Sequence, residues 1–354
     1  MKFFNLDLHI SVIADIKSIF QDLGHEVDNW TLSGHSWVFG KQIDNVQHVN
    51  QNTWRNIDEN MCDRFYETYK NQLDKYDAFV VTHTPCFSML YERFDKPVVT
   101  IASTRYEDPF SNNMISWIKF NSYLQNSIDS GKIIPISNNK YDAKYTEYFT
   151  DRKWETIPSL CEYTEAKYTG DKEKFIYFSK LPMQFSSDAV ASKESLYPSG
   201  YSWKDLYSHK GIVHIPYNAS TMSIFEQYTA NVPLFFPTYE FMRELREKYM
   251  THGVMSELSW NQVFNYPSRS TIFKGFDDPN DYANNDIMME WVKLSDFYDQ
   301  ENMPHVQLFD SYSSLNEMCH VSNLKQISDN MKEHNIERKI DVYNKWTQVL
   351  RGIG

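Results

Sequence analysis

The sequence has little cysteine and puts none of it in an organised pattern. Cys62, Cys86, Cys161 and Cys319 lie far apart and form no CxxC or Cys/His spacing, which argues against a zinc site or a disulfide framework and fits a reducing compartment. Clustered cations are scarce too. Lys and Arg number 35 against 47 Asp and Glu, a formal net charge of −12, so a non-specific grip on a nucleic-acid backbone is not expected. The densest basic stretch, Arg243, Arg246 and Lys248, is interleaved with Glu240, Glu244 and Glu247 and reads as a solvated helix face. Long apolar runs are also missing. Asp7, His9, Asp15 and Lys17 interrupt the N-terminal "MKFFNLDLHISVIADIKSIF" before a signal core or membrane span forms. The expectation is a cytoplasmic protein without a transmembrane segment.

What is present is an alternation of strand-like and helix-like segments. "KFFNLDLHI" reads as a strand, "SVIADIKSIFQDLG" spaces Val12, Ile13, Ile16, Ile19, Phe20 and Leu23 as a helix does, and "HEVDNWTLS" reads as a second strand. Gly24 supplies the permissive helix C-cap. The pattern continues through "FYETYKNQLDKY", "DAFVVTH", "PCFSMLYERFD" and the continuous apolar "KPVVTIAST", then "NMISWIKFNSYLQNSIDSG", "KIIPIS" and "NKYDAKYTEYF". Continuous apolar strands separated by helices predict a parallel sheet covered on both faces. The polar "ETIPSLCEYTEAKYTGDKEK" has no period and reads as a linker. Beyond it the alternation restarts with "KFIYFSKL", "SWKDLYSHKG", "IVHIPY", "SIFEQYTANV" and "PLFFP", and the chain ends in helices. At 354 residues two domains are expected. We place an N-terminal Rossmann-like domain at 1–160, a C-terminal one at 161–335, and a final helix at 336–354 packing back on the first.

In open parallel sheets ligands bind beyond the carboxyl ends of the strands. There the stretch "GIVHIPYNASTMSIFEQYTANVPLFFP" sets Ser220, Thr221 and Ser223 at the mouth of a helix that carries Glu226. Small hydroxyl side chains and backbone N–H groups at a helix N-terminus suit a phosphate. A carboxylate about a turn later suits the vicinal hydroxyls of a ribose. The plain alternative is that Ser220 or Thr221 caps the helix while Glu226 lies on its solvated face.

This segment resembles the donor-binding motif of GT-B glycosyltransferases, with Asn231-Val232-Pro233 where that family commonly has Gly-Val-Pro. The turn lacks the family's glycines, and Asn218 stands where plant-type members have a histidine. The resemblance implies an α/β fold of two Rossmann-like domains facing a cleft, with a C-terminal helix crossing back to the first domain. There is a further likeness to exostosin-like and viral glycosyltransferases that no single motif carries. Carried over by position, Ser220, Thr221 and Ser223 face a diphosphate, Glu226 faces the ribose, Asn218 is a further donor-binding residue, and Lys180, at the end of the strand "FIYFSKL", lies near the phosphates. The implied co-substrate is a nucleotide-diphosphate sugar, a UDP-sugar foremost, with no further cofactor and no metal. The implied activity is transfer of its sugar to a hydroxyl of a glycan or glycoconjugate. The alternatives are a nucleotide-sugar epimerase or hydrolase of the same fold, or a two-lobed binding protein without chemistry.

Candidate catalytic groups sit at strand ends of the first domain. His9 is the leading general base, since an imidazole titrates near neutral pH. Asp7 and Asp15 are its rivals, either as base or orienting the imidazole, Asp15 lying further along the first helix and partly a surface charge; Glu107 is a further base candidate that could instead bind sugar hydroxyls. His35, Trp37, His83 and Arg105 are expected to contact the acceptor, Trp37 as a platform for a sugar ring. Asp296, Asp299 and Glu301 form a carboxylate cluster that reads as ordinary helix and loop surface in place of a metal site.

Overall fold

The computed structural model describes residues 1–103, 106–181, 188–249, 253–258 and 284–353. The chain divides into two compact units. Among the described residues the first holds 1–159 and 342–353, and the second 160–258 and 284–341.

The first unit is built on β1 (Lys2–Asp7), α1 (Ile10–Asp22), β2 (Glu26–Thr31), α2 (Glu59–Leu73), β3 (Ala78–Val81), β4 (Val98–Ala102), α3 (Met114–Asp129), β5 (Ile133–Ser137), α4 (Lys140–Thr150) and β6 (Glu155–Thr156). The six strands form one sheet in the order β2-β1-β3-β4-β5-β6, parallel throughout. Every residue of β3 and β4 is buried, as a sheet covered on both faces requires. Gly24, at φ 84, closes α1. His25 N–H reaches back to the Phe20 carbonyl and Gly24 N–H to Gln21, the paired bonds of a left-handed helix stop. The segment expected to be a linker contributes β6, a two-residue strand too short to show a period in the sequence.

The second unit contains β7 (Phe175–Phe178), β8 (Val190–Ser192), α5 (Lys193–Leu196), α6 (Trp203–Tyr207), β9 (Ile212–His214), α7 (Met222–Thr229), β10 (Leu234–Pro237), α8 (Tyr239–Tyr249), α9 (Asn285–Val292), β11 (Gln307–Phe309) and α10 (Tyr312–Val321). Its sheet runs β11-β10-β9-β7-β8, again parallel. The basic stretch on α8 is not uniformly solvated. Arg246 is buried and donates to Asn285 Oδ1, while Arg243 stays outside and pairs with Asp286.

The last helix, α11 (Leu324–Arg351), serves both units: its residues to Asp341 pack within the second and those from Val342 within the first. In the first unit Trp346 is buried edge-on against Phe20 of α1, ring centres 5.1 Å apart. Among the described residues no helix is long and apolar enough to cross a membrane.

Candidate functional site

Strand order marks one position in each sheet where a ligand is favoured. After β7 the chain steps outward to β8 and then returns to the other side of β7 with β9. This reversal leaves a crevice beyond the carboxyl ends of β7 and β9. A cavity of about 290 Å³ lies there, lined by Phe178, Ser179 and Lys180 after β7, by His214 through Tyr217 after β9, by Lys193 and Glu194 opening α5, and by Thr221, Ser223 and Ile224 at the start of α7.

The start of α7 is open. Thr221 holds the N-cap position in extended conformation, yet its side chain makes no capping bond; its hydroxyl lies 3.0 Å from that of Ser223. The plain capping alternative therefore fails for Thr221. Ser220 does not cap either, because its hydroxyl is donated to Asp296 Oδ2. A helix start without a side-chain cap keeps N–H groups and a partial positive charge available to an anion. Two cations share the cavity wall. Lys180 Nζ lies 3.9 Å above the Tyr217 ring and pairs with Glu257. Lys193 Nζ lies 4.8 Å above the Phe178 ring. His214 is buried, its ring stacked 4.7 Å from Phe236, and Nε2 donates to Gln227 Oε1 at 2.6 Å. Burial lowers its pKa to about 4, so the ring is neutral at pH 7.

The residues expected to hold a donor are only partly brought together. Lys180, Thr221 and Ser223 line the cavity, whereas Asn218, Ser220 and Glu226 are not among its lining residues. Asn218 Oδ1 accepts the Ala219 N–H at 2.7 Å and shapes its own turn. Glu226 is buried, neither on a solvated helix face nor at the cavity. It accepts from the Tyr163 hydroxyl at 2.6 Å and from Trp203 Nε1 at 3.1 Å. That arrangement secures α7 to the segment entering the unit. Lys193, Phe178, Tyr217 and His214 went unnoticed in the sequence. His214 alone left a signal, a polar residue inside the apolar run "GIVHIPY". Lys193 follows a strand of three residues, too short to announce itself.

The first unit has the same reversal between β1 and β3, and candidate catalytic residues gather at that point. Asp7 ends β1 fully buried. Its Oδ2 accepts from the backbone N–H groups of Thr82, His83 and Thr84 at 2.9, 3.0 and 3.3 Å, and Oδ1 from Leu8 at 2.7 Å. This carboxylate ties the loop after β3 to the end of β1 and does not reach outward, which corrects its assignment as a base. Burial lifts its pKa to about 6, against the pull of the four N–H bonds. His9, half-buried at the N-cap position of α1, faces His83 with ring centres 4.8 Å apart. The buried His83 is held by Ser103 Oγ, 2.9 Å from Nδ1. Asp15 is also fully buried, on the inner side of α1, and is not a surface charge. Glu107 is 3% exposed, and its charge, after burial itself, raises the Tyr145 hydroxyl; a base acting on an incoming hydroxyl needs an approach that this burial denies. His35 is exposed and Trp37 is 71% exposed on a short turn after β2. Arg105 lies outside the described residues.

The carboxylates near residue 300 separate. Asp296 is buried against Ser220, and Asp299 Oδ1 accepts the N–H groups of Glu301 and Asn302 at 3.1 and 3.4 Å. Among the described residues no group of three or more His, Cys, Asp or Glu is placed to hold a metal ion.

No family model and no curated protein matches the chain. Solved structures do. HepE of Anabaena, in complex with UDP and glucose, aligns at a TM-score of 0.51 and 9% identity, covering 99% of this chain and 100% of its own. The glycosyltransferase SnogD from Streptomyces nogalater aligns at 0.46 and 10%, covering 100% and 99%. At such identities the likeness is one of fold: an α/β chain of two Rossmann-like units, the GT-B architecture, matched to HepE over nearly its whole length.

Proposed function

We propose that this chain is a glycosyltransferase that seats the diphosphate of a nucleotide sugar in the cavity beyond β7 and β9 and transfers the sugar to a hydroxyl acceptor. The observation that carries the reading is the convergence at one sheet reversal of an uncapped helix start, the Thr221 and Ser223 hydroxyls and two lysines. Each of these groups favours phosphate. The binding of UDP by HepE, of the same fold, supports a UDP-sugar as the donor.

In transfer the bond from the anomeric carbon to the phosphate oxygen breaks, and its electron pair leaves with the diphosphate. The acceptor oxygen forms the new bond to that carbon. Lys180, Lys193 and the α7 start stabilise the charge that builds on the leaving diphosphate, so the proposed reaction needs no metal. The acceptor, a glycan or glycoconjugate, is assigned to the first unit, with exposed Trp37 and His35 at its wall. With Asp7 and Glu107 buried, the acceptor's proton falls to His9.

Thermal melting with UDP, GDP, CDP and dTDP, each with and without EDTA, tests the donor site. A ligand that binds only the folded protein raises its Tm. One diphosphate is expected to do so equally in both conditions; no shift with any of the four rejects the reading. His9→Ala is expected to lower kcat by about 10²–10⁴ without changing that shift.

A further inference from the structure

Residues 253–258 bring an internal anion to Lys180, one of the residues lining the cavity. Met255 N–H donates to the Pro216 carbonyl and Glu257 N–H to that of Tyr217, both at 2.9 Å, so the segment runs beside the chain leaving β9. Val254, Met255 and Leu258 anchor it by burial. Gly253, at φ 114, lets it approach Lys180: a Cβ on Gly253 would stand 2.9 Å from Lys180 Cβ. The result is that Glu257, partly exposed, pairs with Lys180. The second lysine has a carboxylate as well, with Lys193 Nζ 3.7 Å from Glu194. Among the described residues each of the two lysines lining the cavity thus has a carboxylate partner, Glu194 within the lining and Glu257 behind Lys180.

We propose that Glu257 holds on Lys180 the place of an anionic group of the ligand, and so makes ligand charge the selective property of this site. The inference rests on the nucleotide-diphosphate reading of the same cavity. A diphosphate brings enough negative charge to take Lys180 from Glu257 and still engage Lys193 and α7. An uncharged nucleoside gains nothing from Lys180 and leaves the pair closed. Removing the carboxylate should therefore favour charged ligands alone.

Calorimetric titration at low ionic strength tests this, using whichever of UDP, GDP, CDP and dTDP binds the unaltered protein, with its own nucleoside as the uncharged control. Glu257→Gln is expected to tighten the diphosphate about fivefold, the equivalent of ~1 kcal/mol, and to leave the nucleoside unchanged. Glu257→Ser should do the same, and neither should act in a Lys180→Met background. Equal or weaker diphosphate binding by both Glu257 variants, or an equal gain for the nucleoside, overturns the role of Glu257 while the donor site stands. If the unaltered protein binds none of the four diphosphates, the donor site itself fails and the inference fails with it.

Discussion

Two buried titratable side chains give the units opposite responses to acid. Asp7, in the first unit, has a carboxyl raised from 3.8 to about 6 by burial. Its contribution is complete below the unfolded value and is lost as pH rises through about 6, because the folded state holds the proton longer. His214, in the second unit, is lowered from 6.5 to about 4. Its contribution is complete above 6.5 and is lost as pH falls through about 4. At 1.36 kcal/mol per pH unit of displacement, each effect is on the order of 3 kcal/mol. Urea unfolding from pH 4 to 6.5 should show the wild-type advantage over Asp7→Asn shrinking as pH rises and the advantage over His214→Gln growing. A pH-independent difference in either pair rejects the corresponding assignment. Such roles were invisible in the sequence, where a carboxylate at a strand end reads the same whether it meets solvent or a row of backbone N–H groups. For that reason Asp7 and Glu107 read in the sequence as strand-end carboxylates open to a ligand, yet both lie buried. Arg246 is the same failure in a helix, since alternating charges do not reveal which member turns inward.

The elements that were legible are those whose length allows a period. β1 to β5, β7 and β10 are strands within the apolar runs read from the sequence, the three-residue β9 is legible only because the longer run "IVHIPY" surrounds it, and α1, α2, α3, α4 and α7 follow helical spacing. β6, β8 and β11 have two or three residues each and carry no pattern to detect. The site divides in the same way. Lys180, Thr221 and Ser223 follow from the logic of strand ends and helix starts, whereas Glu257 reaches Lys180 from 77 residues away. The turn after α7 shows how asparagine fills a position that suits glycine. Asn231 sits at φ 63, the left-handed position that glycine fills most easily and asparagine tolerates. Val232 N–H closes the helix on the Gln227 carbonyl. The Asn231 side chain also accepts from Asn335 of α11 at 2.9 Å. Asn231→Gly relieves the backbone and loses one bond, so its stability should stay within about 1 kcal/mol of wild type. Asn231→Val loses the bond and forces a branched side chain into the left-handed region, at a cost of about 2 kcal/mol or more. Chemical denaturation of the two variants checks this, and equal stability would contradict the strain.

At the scale of the whole molecule, α11 contributes residues to both units. Trp346, buried near the end of α11, covers Phe20 of the first unit. Trp346→Ala is expected to cost about 3–5 kcal/mol and, under limited proteolysis, to open cleavage sites within residues 1–159 before those of the second unit. Unchanged urea stability would reject this role for the ring.

The same division of α11 fixes an order on the ribosome. All of 160–341 is made between the body of the first unit and Trp346, so the first unit waits with Phe20 uncovered while the second is synthesised. At about 5–20 residues per second the wait is on the order of ten to forty seconds, during which this apolar surface of the first unit stays uncovered. A stop codon shortly before position 346 would release a product with its second sheet finished and its first still open.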